Sequence, residues 1–180
     1  MKNILLISSI PRGDAALSRR VARLLRDLSN VDVAGVEITV RDLVADPLPY
    51  LDEDGIAGWT LKPHQRTVAQ QAAINLSNTL ATELFAADVI VIASGMTSLA
   101  PTSALNAWFD YVFRCGVSVG HSEKEQHGRL GGKEVYLVQE RHGTHSQGPM
   151  QPGGFQKPYT KGLLAGIGFT DVHTIEVDGA

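Results

Sequence analysis

Residues 89–116, VIVIASGMTSLAPTSALNAWFDYVFRCG, decide the fold. Val89, Ile90, Val91, Ile92 and Ala93 form an unbroken apolar run, the pattern of a strand covered on both faces in a parallel sheet. A run of small residues around one proline follows over 95–102. Leu105, Trp108, Phe109 and Val112 then recur at i, i+3, i+4 and i+7, which makes one apolar stripe of a helix. Strand, loop and amphipathic helix in that order predict a step of an open α/β sheet, in which ligands bind outside the carboxyl ends of the strands. The loop 95–102 is therefore expected to wall a site. The opposite wall has to come from the N-terminus.

Working outward, residues 3–7, NILLI, are a second continuous apolar run and predict a central strand. SSIPRGDAALS at 8–18 leads into Leu17, Val21, Leu24, Leu25 and Leu28 at helical spacing. A helix start presents unpaired N–H groups and a positive dipole end, so this turn suits a phosphate, with Ser9 and Ser18 as hydroxyl donors. The other reading of the same residues is that Asp14 or Ser18 simply caps the helix. Residues 36–40, VEITV, predict a second strand, and the two prolines of DPLPY at 46–50 exclude helix there. Residues 51–62, rich in Gly, Asp and Glu, predict a loop carrying Trp59, which is expected either to roof a site, to join a dimer contact or to pack. Past Pro63, Val68, Ala72, Leu76, Leu80 and Leu84 predict a helix. Residues 88–93 are the third strand and 134–139 the fourth, whose carboxyl end delivers Glu140, Arg141, His142 and Gly143 to the crevice side. Tyr159, Leu163, Leu164 and Ile167 mark a helix broken at Gly168, and 172–177, VHTIEV, predict a fifth strand. Strands alternating with helices indicate a three-layer parallel sheet in a single domain over 1–180.

The 180 residues are 43% hydrophobic, with 16 Lys and Arg against 19 Asp and Glu. The net charge of −3 comes without the basic run that nucleic acid or anionic lipid selects, so neither is an expected partner. MKNILLISS starts a strand at once and lacks the long apolar segment of a signal peptide or membrane span. The expected setting is cytoplasmic. The single cysteine, Cys115, excludes an internal disulfide and is expected to be a small buried residue near a helix end. His121, His127, His142 and His145 fall on different loops without a helical HxxxH, so no metal site is expected. No G-x-S-x-G elbow frames a hydrolytic serine.

Together, SSIPRGDAALS at 8–18, ITVRDLVADPLPYLD at 38–52, VIVIASGMTSLAPTSALNAWFDYVFRCGVSV at 89–119, LGGKEVYLV at 130–138, ERHGTHSQGP at 140–149 and GIGFTDV at 166–172 carry a resemblance. They resemble the FMN-dependent NADH-azoreductases of the flavodoxin-like quinone reductase group over nearly the whole chain. The resemblance implies a flavodoxin-like α/β fold, with a five-stranded parallel sheet in the order 2-1-3-4-5. It also implies a homodimer with FMN at the subunit interface, and NADH or NADPH as donor for ping-pong reduction of azo compounds and quinones. Ser9 and Ser18 match family serines at the FMN phosphate, while an intermediate serine is replaced by Ala16. Gly95, Met96, Thr97, Ser98 and Leu99 take the place of the family's Pro-Met-Tyr-Asn-Phe along the isoalloxazine ring, with only Met96 kept. Glu140, Arg141, His142 and Gly143 replace Ser-Arg-Gly-Gly at the pyrimidine edge, keeping Arg141 and Gly143, and His145 has a family counterpart. Gly120 and His121 stand where the family has an aromatic, and the family's last helix has no counterpart before Ala180. No catalytic side chain is implied, because flavin itself carries the hydride chemistry. The departures cluster at the site and leave two readings, a divergent flavoenzyme or a flavodoxin-like flavin-binding or structural module that has lost catalysis.

Overall fold

The computed structural model describes residues 2–10, 20, 21, 24, 35–95, 100–120, 128–142 and 156–179, the side chains of 140–142 and 177–179 excepted. Five strands, β1 (Lys2–Ser8), β2 (Val36–Asp42), β3 (Val89–Gly95), β4 (Glu134–His142) and β5 (Asp171–Gly179), form one sheet in the order β2-β1-β3-β4-β5. Every pairing is parallel. This is the strand order expected from the sequence.

The central position of β3 follows from its composition. All seven of its residues are buried, and a strand sealed on both faces has to carry apolar side chains on both. Leu5, Ile7, Ile90, Ile92, Val135 and Leu137 face one cluster. There the sheet meets the helices α2 (Val68–Ala86), α3 (Ser103–Val112) and α4 (Gln156–Gly166) through Leu80, Leu84, Leu105, Trp108, Phe109 and Leu164. Leu6, Val91, Ala93 and Val138 face the other side, where Ile10 and the helical Val21 pack on them. Helices on both faces make the three layers.

The caps explain where the helices start. Thr67 accepts from Gln70 N at 3.2 Å while the Gln70 side chain accepts from Thr67 N at 3.0 Å, a reciprocal capping box. Thr102 caps α3 by accepting from Leu105 N at 3.3 Å. In α3, the Trp108 and Phe109 rings meet edge to face with centroids 5.1 Å apart. They sit in the core, as their spacing predicts, and losing such a ring from a filled core costs about 3 to 5 kcal/mol. The Arg41 guanidinium on β2 pairs with Asp46 at 3.1 Å and with Glu83 on α2. The hydrogen bonding it donates to the Glu83 carboxylate is the main reason its pKa is raised.

Three expectations change. Residues 53–60 are not loop but a helix, α1 (Glu53–Thr60), with Trp59 in its last turn. Asp52 caps it by accepting from Gly55 N at 2.9 Å, Glu53 and Asp54 suit the positive end of its dipole, and Gly58 keeps its contact with α2 open, since a Cβ there would stand 3.2 Å from the Gln70 carbonyl oxygen. Secondly, β4 runs on to His142, because β5 is equally long and pairs residue for residue through His142 and Gly179. Thirdly, Cys115 is exposed. After the Phe113 cap, the N–H groups of Val117, Ser118 and Val119 all bond to the Arg114 carbonyl, and this turn carries Cys115 off the buried stripe. Among the described residues, no helix is long and apolar enough to cross a membrane.

Candidate functional site

The order β2-β1-β3 puts a switch point between β1 and β3, since Val21, between β1 and β2, packs on one face of the sheet and α2, between β2 and β3, on the other. At such a switch point the loops diverge and leave a crevice at the carboxyl ends. Ser9 lies at that end of β1. Its N–H donates to the Ala93 carbonyl at 3.0 Å and its hydroxyl to the same oxygen at 3.4 Å. Gly95, the last residue of β3, is the register partner of Glu140 on β4. Arg141 and His142 follow on β4 opposite Asp178 and Gly179. Neighbouring strands lie about 4.8 Å apart, so Ser9, Gly95 and Glu140 span three adjacent strand ends. Ser18, Met96, Thr97, Ser98, Leu99 and Gly143 lie outside the described residues.

The described residues fit the FMN implied by the resemblance. Among the described residues, the buried Ser9 hydroxyl has one bond, a long one, weaker than a well-formed O–H···O contact, which leaves it able to turn to an anionic oxygen. Gly95 and Glu140 bring two backbone segments side by side, the arrangement a flat ring edge needs for main-chain donors and acceptors. Among the described residues, a side chain at Gly95 would meet Ile10, at 3.6 Å.

Three buried polar residues beneath this edge were not singled out by the sequence reading. Ser94 is 0% exposed, Gln139 3% and Gln156 4%. Gln156 Nε2 donates to Ser94 Oγ at 3.2 Å, and Gln139 Nε2 has no hydrogen-bond partner among the described residues. The available signal was a glutamine ending the apolar run VYLVQ, at a position where the alternation calls for a core residue.

A family model described as Flavodoxin-like fold matches residues 2–180. FMN-dependent NADH:quinone oxidoreductase 1 of Burkholderia lata is 43% identical over 180 residues, covering 99% of this chain and 87% of the relative. FMN-dependent NADH:quinone oxidoreductase 2 of Rhizobium etli is 40% identical with the same coverage. Among solved structures, an azoreductase from Bacillus anthracis superposes with a TM-score of 0.85 at 21% identity, over 99% of this chain and 88% of that one. An FMN-dependent NADH-azoreductase from the same species, in complex with FMN, gives 0.84 at 17%, again over 99% and 88%. The solved structures speak for the fold and the 40–43% identities for the kinship: the chain belongs to the flavodoxin-like family that includes the FMN-dependent NADH:quinone oxidoreductases.

Proposed function

We propose that this chain is an FMN-dependent NAD(P)H oxidoreductase that reduces quinones and azo compounds, acting as one domain in the cytoplasm. The observation that carries the reading is the meeting of Ser9, Gly95 and Glu140 at the carboxyl ends of three adjacent strands in a chain 43% identical to an FMN-dependent NADH:quinone oxidoreductase. When bound, FMN supplies the acceptance of hydride from NAD(P)H and its delivery to the acceptor. The protein's part is to hold and orient. Ser9 and Ser18 take the phosphate at the end of β1, residues 95–99 lie along the ring, and Glu140, Arg141, His142 and Gly143 meet the pyrimidine edge.

The test is spectroscopic. Purified protein titrated with FMN is expected to perturb the flavin absorbance, to be bleached by NADH without oxygen and to recover its colour on adding a quinone. Absence of FMN binding removes the reading. Binding without bleaching favours the module that has lost catalysis.

A homodimer is part of the proposal. On the outer side of the helix layer, Trp59, Asn106, Phe113 and Tyr159 border a cavity of about 220 Å³. Phe113 is 37% and Tyr159 50% exposed, and Trp59 Nε1 and Asn106 Oδ1 are buried without partners among the described residues. Burial also pushes the neighbouring Asp110 carboxyl above its ordinary value. Exposed aromatics around unpaired polar groups suit a protein interface. Of the aromatics on α3, Trp108, Phe109 and Tyr111 are buried within the chain, so the contact falls to Phe113 just past the helix. Light scattering is expected to give twice 19.3 kDa; a monomer at micromolar concentration removes this part alone.

A further inference from the structure

The buried polar residues under the crevice have a pattern. Along β3 and β4, the side chains facing the helices α2 to α4 are Ile90, Ile92, Val135 and Leu137. One step further, at the carboxyl ends, the same face carries Ser94 and its register partner Gln139. The first residue of α4, Gln156, reaches Ser94 Oγ, which lies 3.5 Å from the Gly95 carbonyl oxygen. A turn along α4, Thr160 is 0% exposed with Oγ1 unpartnered among the described residues. Burying polar groups without full satisfaction costs free energy that an apolar set of the same volume would avoid. Packing therefore does not explain this cluster.

We propose that Gln156 is a positioning residue for the flavin site, acting through Ser94. Resting on the FMN reading above, the inference assigns it a specific task. The Gln156 amide donates to the Ser94 hydroxyl at 3.2 Å and anchors that side chain to the helix layer, one residue before Gly95. That fixes the peptide at which β3 hands over to the ring-binding residues. Ser94 and Gln156 are 62 positions apart, so the bond also ties the end of β3 to the element following β4.

The test compares Gln156→Leu, Ser94→Ala and the double variant with the wild type, with Gln156→Met as a second apolar replacement should Leu impair folding. FMN affinity is read by fluorescence titration, the flavin environment by the visible spectrum of the bound form, and the fold by melting of the apoprotein. Each single variant is expected to raise the FMN dissociation constant about tenfold, as the loss of one oriented hydrogen bond does. Each is also expected to shift the bound-flavin spectrum, the double variant going no further than either single. The apoprotein of Gln156→Leu is expected to melt no lower than wild type. A dissociation constant within twofold of wild type with an unchanged spectrum overturns the positioning role, as do single effects that add in the double variant. A wild type that binds no FMN overturns the proposed function itself, and this role with it.

Discussion

Gly128→Ala is expected to destabilise the fold severely. A methyl group at 128 would overlap the Gly168 amide nitrogen and the Ile167 carbonyl carbon. Both are backbone, with no side chain that could swing aside. Neither side of the crossing can retreat. Leu130 N donates to the Ile167 carbonyl at 3.1 Å and Phe169 N to the Leu164 carbonyl at 3.0 Å, while Arg129 N is held by the Ser118 carbonyl at 2.9 Å. Gly168 itself has φ of 108°, in the region that favours glycine. Moving the segments apart would expose Leu130 and Phe169, now 0% and 1% accessible. Such forced overpacking costs about 4 kcal/mol or more, a large share of the roughly 5 to 15 kcal/mol that stabilises a domain. Urea unfolding followed by circular dichroism checks it, and an unchanged midpoint would refute the close crossing.

Ser9→Ala combined with Ser18→Ala is expected to weaken FMN binding by about 1.5 to 3 kcal/mol for each hydroxyl lost, the range for hydrogen bonds to a charged group. The sum corresponds to a dissociation constant raised on the order of a hundredfold to ten-thousandfold. Ser9 surrenders little when it turns to a ligand, because its present bond to the Ala93 carbonyl is 3.4 Å long. Its backbone N–H stays with that carbonyl at 3.0 Å, so the alanine variant keeps the strand end in place. Flavin fluorescence titration decides the matter. An unchanged affinity would remove the phosphate from residues 9–18 while leaving the fold untouched.

The parts of the fold that were legible share one physical cause. β1 and β3 are sealed on both faces, and that requirement writes itself into five consecutive apolar residues at 89–93 and a similar run at 3–7. α2 and α3 carry both a stripe and a cap. α1 was illegible because eight residues with two glycines hold their shape through tertiary contact with Gln70 and Ile74 rather than by propensity. The last three residues of β4 were missed because a ladder is made by backbone groups, which Glu140, Arg141 and His142 possess like any others. Within the candidate site, the order of strand ends follows from the alternation of strands and helices, so the meeting of Ser9, Gly95 and Glu140 could be anticipated. The Ser94–Gln156 bond could not, since neither residue carries a local mark of a partner 62 positions away.

The wholly parallel sheet also has a consequence for biosynthesis. No two adjacent strands are joined by a hairpin, and Ser9 is bonded to a residue 84 positions later. Non-local pairing of this kind pays loop-closure entropy before any contact repays it, which slows folding. On the ribosome, β1 emerges early with one long edge awaiting β3, an apolar strand with its ladder groups unfilled. Substitutions in 89–95 that delay this docking would be felt first as lost yield from aggregation of the nascent chain, before any purified enzyme could be assayed.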